Sequence, residues 1–252
     1  MIQAGWSRKV INQRIGRIKR IFKWAVSKQL VPAQVYHGIA TVSGLQVGRT
    51  AAKETAPVKS VAKEIVAATL PYLTRHVSGL VRFQMLTGCR PGEACSVRRS
   101  DIEMTDPIWI YRPAHHKLAY RGKDHAIALG PLTQALLAEF PKGNADEFIF
   151  SPARGLAEIR SARAANRKTP KWPSHLQRNE QKRKKAPLRA PTERYRVESY
   201  ARSIAMGVNK ANVVRSNPTF NLTAPPVPHW HPNQLRHAHA TKVRALYGLE
   251  AA

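Results

Sequence analysis

Between residues 7 and 30 apolar side chains return every three or four positions: Ile11, Ile15, Ile18, Phe22 and Ala25. An α-helix puts that period on one face, and Ser7 stands where an N-cap belongs. Val31-Pro32 ends the pattern. A loose stretch with Gly44, Gly48 and Pro57 then runs to about Lys59 and reads as an interdomain linker. Periodicity resumes with a helix capped by Ser60 and running to about Thr69, and Pro71 starts a further turn. Thr74 to Leu86 is too densely apolar (Leu80, Val81, Phe83, Met85, Leu86) for a surface helix and predicts a central one, ended by Gly88. Pro91 suits the first turn of the next helix, to about Val97.

The period then changes. Residues 109–113 and 126–130 read as two strands of a hairpin whose connection holds His116, Lys117, Gly122 and Lys123. Leu132 to Phe140 is a short amphipathic helix, and Phe148-Ile149-Phe150 is a small packed apolar element. A helix from Thr192 or Glu193 to about Ala211 puts Val197, Tyr200, Ile204 and Val208 on one face. A loop with Pro218, Pro225, Pro226 and Pro228 leads to a last helix through Tyr247. No internal repeat is visible.

Charge changes this picture most. The 252 residues hold 42 Lys and Arg against 15 acids, a formal net charge of +27, which favours polyanionic partners. Residues 1–50 carry nine basic residues and no acid, with Arg14, Arg17, Lys19 and Lys23 on the outer faces of the first helix as candidate DNA contacts. Between Arg160 and Arg196 lie thirteen basic residues, two acids and four prolines. Such a segment buries too little apolar surface to offset chain entropy, so an exposed, largely disordered insertion is expected. No apolar run approaches the roughly 18–20 residues that span a bilayer, so no membrane partner is expected. Nor does the N-terminus read as a secretory signal. Cys89 and Cys95 form neither a disulfide framework nor a C-x-x-C motif, which fits a reduced, cytoplasmic setting.

Two stretches carry the chemistry: Thr87-Gly88-Cys89-Arg90-Pro91-Gly92-Glu93 and Asn233-Gln234-Leu235-Arg236-His237. Each puts an arginine at a helix boundary. Two guanidiniums converging on one anion form a phosphate clamp, since each fork matches two phosphate oxygens. The plainer alternatives are a local Arg90–Glu93 salt bridge and a solvent-facing Arg236. His229, His231, His237 and His239 lack the spacing and the partners of a zinc site, so no metal is expected.

These segments resemble the tyrosine recombinase (phage integrase) family. Its first box, T-G-x-R-x-x-E, is matched by Thr87 to Glu93. Its second, H-x-L-R-H, is matched at Leu235, Arg236 and His237, with Asn233 in place of the first histidine. A lysine-bearing hairpin lies between the boxes in that family, as it does here. The resemblance implies a mainly α fold with a small antiparallel β-sheet: a catalytic domain (60–252, with the basic insertion at about 160–196) preceded by a partial helical core-binding domain (1–50) and a linker (51–59).

The resemblance further implies site-specific recombination of double-stranded DNA. A tyrosine attacks phosphorus to leave a 3′-phosphotyrosine and a 5′-hydroxyl, without cofactor or metal, in a homotetramer on two duplexes. Arg90 and Arg236 would stabilise the transition state. Lys117, or Lys123 as runner-up, would be the general acid, and Glu93 would orient its neighbours. Asn233 keeps the hydrogen-bonding half of the histidine's role, caps the last helix, or both. His237 would pack beside the site or hydrogen-bond a main-chain carbonyl. The family's nucleophile lies further beyond the second box than Tyr247, which is read as a packing residue. The chain therefore reads as an integrase fragment, inactive alone. The alternatives are a non-catalytic basic DNA-binding module and, with 7% aromatics and no stacking array, an RNA-binding protein.

Overall fold

A computed structural model describes residues 1–105, 107–117, 119–141, 143–170, 172–182, 190–216 and 225–248. The chain divides into two compact units, Met1–Val58 and Lys59–Ala252. In the first, α1 (Arg8–Ser27) packs on α2 (Ala33–Ala40), so the stretch after Pro32 contains a helix where the sequence reading expected only a loose linker. Ser7 holds the N-cap position of α1, but its side chain makes no capping bond. Instead Ser7 pairs with Lys53, and the Arg8 backbone N–H donates to Lys53 O at 3.0 Å. Asn12 clasps Leu45 from both sides, donating to its carbonyl at 2.9 Å and accepting from its N–H at 2.8 Å. Ile11 and Ala25 are buried as the helical period requires, whereas Ile18 is exposed.

In the second unit the helices are α3 (Lys63–Thr69), α4 (Arg75–Thr87), α5 (Pro91–Cys95), α6 (Pro131–Ala138), α7 (Pro152–Ala165), α8 (Pro173–Lys182), α9 (Val197–Ser216) and α10 (Pro232–Tyr247). α3 begins later than Ser60, at an Ala62 N-cap that makes no side-chain bond. α4 is the central helix its composition demands. Val77, Leu80, Val81 and Phe83 are buried, and α5, α6, α7, α9 and α10 all pack on it.

The hairpin gains a third strand. The sheet runs β1 (Ile102–Glu103), β2 (Trp109–Tyr111), β3 (Ile127–Leu129), antiparallel throughout, with Ile102 opposite Tyr111 and Tyr111 opposite Ile127. Ile127 and Leu129 face the core and Ala128 faces out, the two-residue alternation of a half-buried strand.

The basic insertion is not wholly irregular. α7 and α8 occupy much of it among the described residues, and α8 buries none of its side chains. α7 is rooted through one face. Glu158 meets Arg75 at 2.9 Å and the buried His76 at 3.3 Å, and Ser151 accepts the Arg154 N–H as N-cap. Residues 171 and 183–189 of the insertion, and Pro218 of the proline-rich loop, lie outside the described residues.

Candidate phosphate-binding site

The first box is a turn between two helices. Gly88 closes α4 in the left-handed conformation (φ 63°). A Cβ there would lie 2.3 Å from the His239 ring, so both conformation and contact call for glycine. Arg90 is the N-cap of α5. Glu93 folds back beneath it: one carboxylate oxygen accepts the Arg90 backbone N–H at 2.7 Å, the other the Arg90 Nη1 at 2.9 Å. The local salt bridge therefore exists, and it fixes the guanidinium. Glu93 is 3% exposed and Arg90 36%. Burial pushes the Glu93 carboxyl up, but the Arg90 N–H, its guanidinium and His125 together outweigh burial and hold it below the usual carboxylate range. Below this turn Tyr111 donates to Glu93 O at 2.9 Å, and Gln84 donates to Cys89 O at 3.1 Å.

The second box docks on the first. α10 packs on α4, and Arg236 Nη1 donates to Gly88 O at 2.9 Å across 148 positions of sequence. One turn on, His239 Nδ1 bonds Met85 O at 2.9 Å. His237, expected to pack beside the site or to bond a main-chain carbonyl, is instead exposed, because the helical period turns residue 239 and not 237 toward α4. Asn233 is exposed at the second position of α10 and is not the cap. His231 is the N-cap, and its N–H bonds Gln234 Oε1 at 3.1 Å while Gln234 donates to Lys59 O at 2.9 Å. Leu235 is buried and Arg236 half-buried.

The structure thus brings Arg90, Glu93 and Arg236 around one turn. Lys117 and Lys123 are both exposed in the β2–β3 connection. Beside them the sequence reading missed His125, whose Nε2 lies 3.4 Å from Glu93 Oε1. Its only sequence signal is a position two residues before β3.

Tyr247 is 74% exposed in the last turn of α10, so it is not a packing residue. Tyr200 is fully buried and Tyr195 nearly so, and burial raises both phenols. Cys89 and Cys95 are buried free thiols pushed up to about 12 by burial. In the first unit Arg14 stacks over Trp6 at 4.3 Å and Lys19 donates to Ala40 O at 3.0 Å, whereas Arg17 and Lys23 are exposed. No group of three metal-ligating side chains occurs among the described residues, and no described helix is long and apolar enough to cross a membrane.

The fold is mainly helical with one small antiparallel sheet, and it is similar to that of a solved integrase. It matches the Tn1549 transposon integrase solved in complex with circular intermediate DNA: TM-score 0.51, 13% identity, over 97% of this chain and 69% of that one. A variant of that integrase, also bound to a circular intermediate DNA, gives a TM-score of 0.55 at 13% identity over the same shares. The XerA recombinase is more distant, with a TM-score of 0.40 at 16% identity over 94% of this chain and 70% of that one. No protein-family model and no curated protein matches the chain.

Proposed function

We propose that this chain grips duplex DNA as part of a site-specific recombinase of the tyrosine type, with Arg90 and Arg236 holding the phosphate at which strands are exchanged. The docking of Arg236 onto Gly88 carries this reading, because it joins the two arginine boxes in a fold shared with a DNA-bound integrase. Each guanidinium has one nitrogen tied to a protein acceptor. The remaining N–H groups are oriented in advance, and preorganised donors stabilise charge developing on nonbridging oxygens.

In this reading a tyrosine oxygen attacks phosphorus, the P–O5′ bond breaks, and a lysine proton passes to the departing 5′ oxygen. Lys117 is the donor, with Lys123 its rival in the same connection. Asn233 contributes its amide as a hydrogen-bond donor and moves no proton. Glu93 holds Arg90 in place. Arg17 and Lys23 add contacts to the duplex from the first unit.

The attacking tyrosine is not Tyr111, Tyr195 or Tyr200, whose phenols are buried. Nor is it Tyr247, which α10 carries roughly 16 Å along its axis from Arg236 at 1.5 Å per residue. Tyr36, Tyr72 and the exposed Tyr120 precede the second box, where the resemblance places no nucleophile, so residues 1–252 alone are expected to bind DNA without a covalent link. The test is a nicked suicide duplex run on a denaturing gel, beside a salt titration of binding. Affinity that falls steeply with salt and yields no adduct supports the reading. An adduct lost on Tyr247→Phe places the nucleophile in α10 and contradicts the expected inactivity, and binding indifferent to salt overturns the reading.

A further inference from the structure

His125 is turned onto the first box. Its Nε2 is shielded from solvent and has no hydrogen-bond partner among the described residues, and it lies 3.4 Å from Glu93 Oε1. Its ring packs at a 43° tilt against His116, the neighbour of Lys117, with centroids 5.4 Å apart. The site's charge balance gives this contact a consequence. Glu93 is an anion fixed beneath the arginine that must attract another anion. Arg90 and Glu93 together are neutral, and a neutral pair offers a phosphate little net attraction at a few ångströms.

We propose that His125 is a positioning residue for the phosphate site: as an imidazolium it takes up the charge of Glu93, which leaves Arg90 a net positive charge for DNA. This rests on the functional reading above. Arg90, Glu93 and His125 then sum to +1 in place of zero. The same contact registers the lysine-bearing connection on the arginine box, because His116 packs against His125 while Glu93 holds Arg90. Among the described residues, the charged and titratable groups around His125 are Glu93 of α5, Arg90 at its N-cap, His116 from the β2–β3 connection, and the adjacent Asp124. Of these, Glu93 is the one at ion-pair distance. Tyr111 from β2 touches the Glu93 carbonyl, but its burial raises the phenol, so it stays neutral.

The experiment measures the affinity of the full chain for a labelled duplex between pH 6 and 8, for wild type, His125→Arg, His125→Gln, Glu93→Gln and the Glu93→Gln/His125→Gln double variant. Thermal unfolding checks that each is folded. Wild type should lose about tenfold more affinity across this range than His125→Arg, the scale of one charge-assisted hydrogen bond. His125→Gln should be weak throughout, and His125→Arg should restore binding at pH 8. With Glu93 neutralised, replacing His125 should cost nothing further.

Equal affinities for His125→Gln and His125→Arg, or additive losses in the double variant, overturn the proposal. The pH series of wild type against His125→Arg decides the matter even where His125→Gln fails to fold. A wild-type chain that binds no duplex at any pH refutes the functional reading instead. The same cycle read on inorganic phosphate then decides the role of His125 on its own.

Discussion

Two regions of the second unit carry positive charge in opposite ways. At the two boxes, Arg90 and Arg236 are each tied by one nitrogen to a protein acceptor and are partly buried. Along the insertion, Arg160, Arg163, Arg178 and Lys182 are exposed and make no hydrogen bond or ion pair among the described residues. Arg160 and Arg163 lie on the face of α7 away from Glu158, the residue that roots the helix, because steps of two and five residues along a helix turn to its far side. The boxes hold few charges in fixed directions. These four insertion charges are held in none. Net charge alone does not separate these regions; what each guanidinium is bonded to does.

The largest expected effect follows from breaking the held charges. Arg236→Ala removes the link to Gly88 and, on the proposed function, one phosphate contact, and should weaken duplex binding by about 2–3 kcal/mol, the scale of a charge-assisted hydrogen bond. The loss should persist at 0.3 M salt in an equilibrium binding assay. Next, Gly88→Ala should destabilise the fold by about 2 kcal/mol, since a Cβ meets both a positive φ and the His239 ring. Thermal unfolding should show it as a drop of roughly 4–8 °C for a unit of this size.

Neutralising the loose charges should look different. A chain with Arg160, Arg163, Arg178 and Lys182 all changed to Ala should bind more weakly at 50 mM salt and match wild type near 0.3 M, because exposed charges are screened within about a Debye length. A deficit as large at high salt as at low would erase the distinction between the two regions.

The smallest effect sharpens the root of the insertion. His76 is buried beside Glu158, and burial lowers its imidazole below the ordinary value despite that carboxylate. The unfolded chain therefore binds the proton more readily than the folded one. Stability should be fully present above about pH 6.5 and should fall as pH drops below it. Thermal unfolding from pH 7.5 to 5 reads this directly, and His76→Phe should flatten that part of the profile.

Much of this was legible in the chain itself. The dense apolar run from Leu80 to Leu86 marked the central helix, and Gly88 marked its end, because burial and left-handed geometry both leave residue-level signatures. The arginine boxes were legible as motifs. What escaped depends on tertiary geometry. His239 and not His237 meets α4, since the docking angle of α10 chooses the face. His125 joins Glu93 only once the hairpin folds over α5. α7 and α8 escaped because their charge masked helix propensity: Arg and Lys are good helix formers, and α7 needs only the one face that Glu158 anchors.

The central claim is that both boxes hold one phosphate. A structure of this chain with a short duplex, refined far enough to place guanidiniums and phosphate oxygens, tests it most directly. The account predicts a single phosphate within hydrogen-bond distance of both Arg90 and Arg236, with Glu93 still beneath Arg90. Arginines that contact different phosphates, or guanidiniums more than about 12 Å apart, too far for two forks to reach one anion, would contradict it.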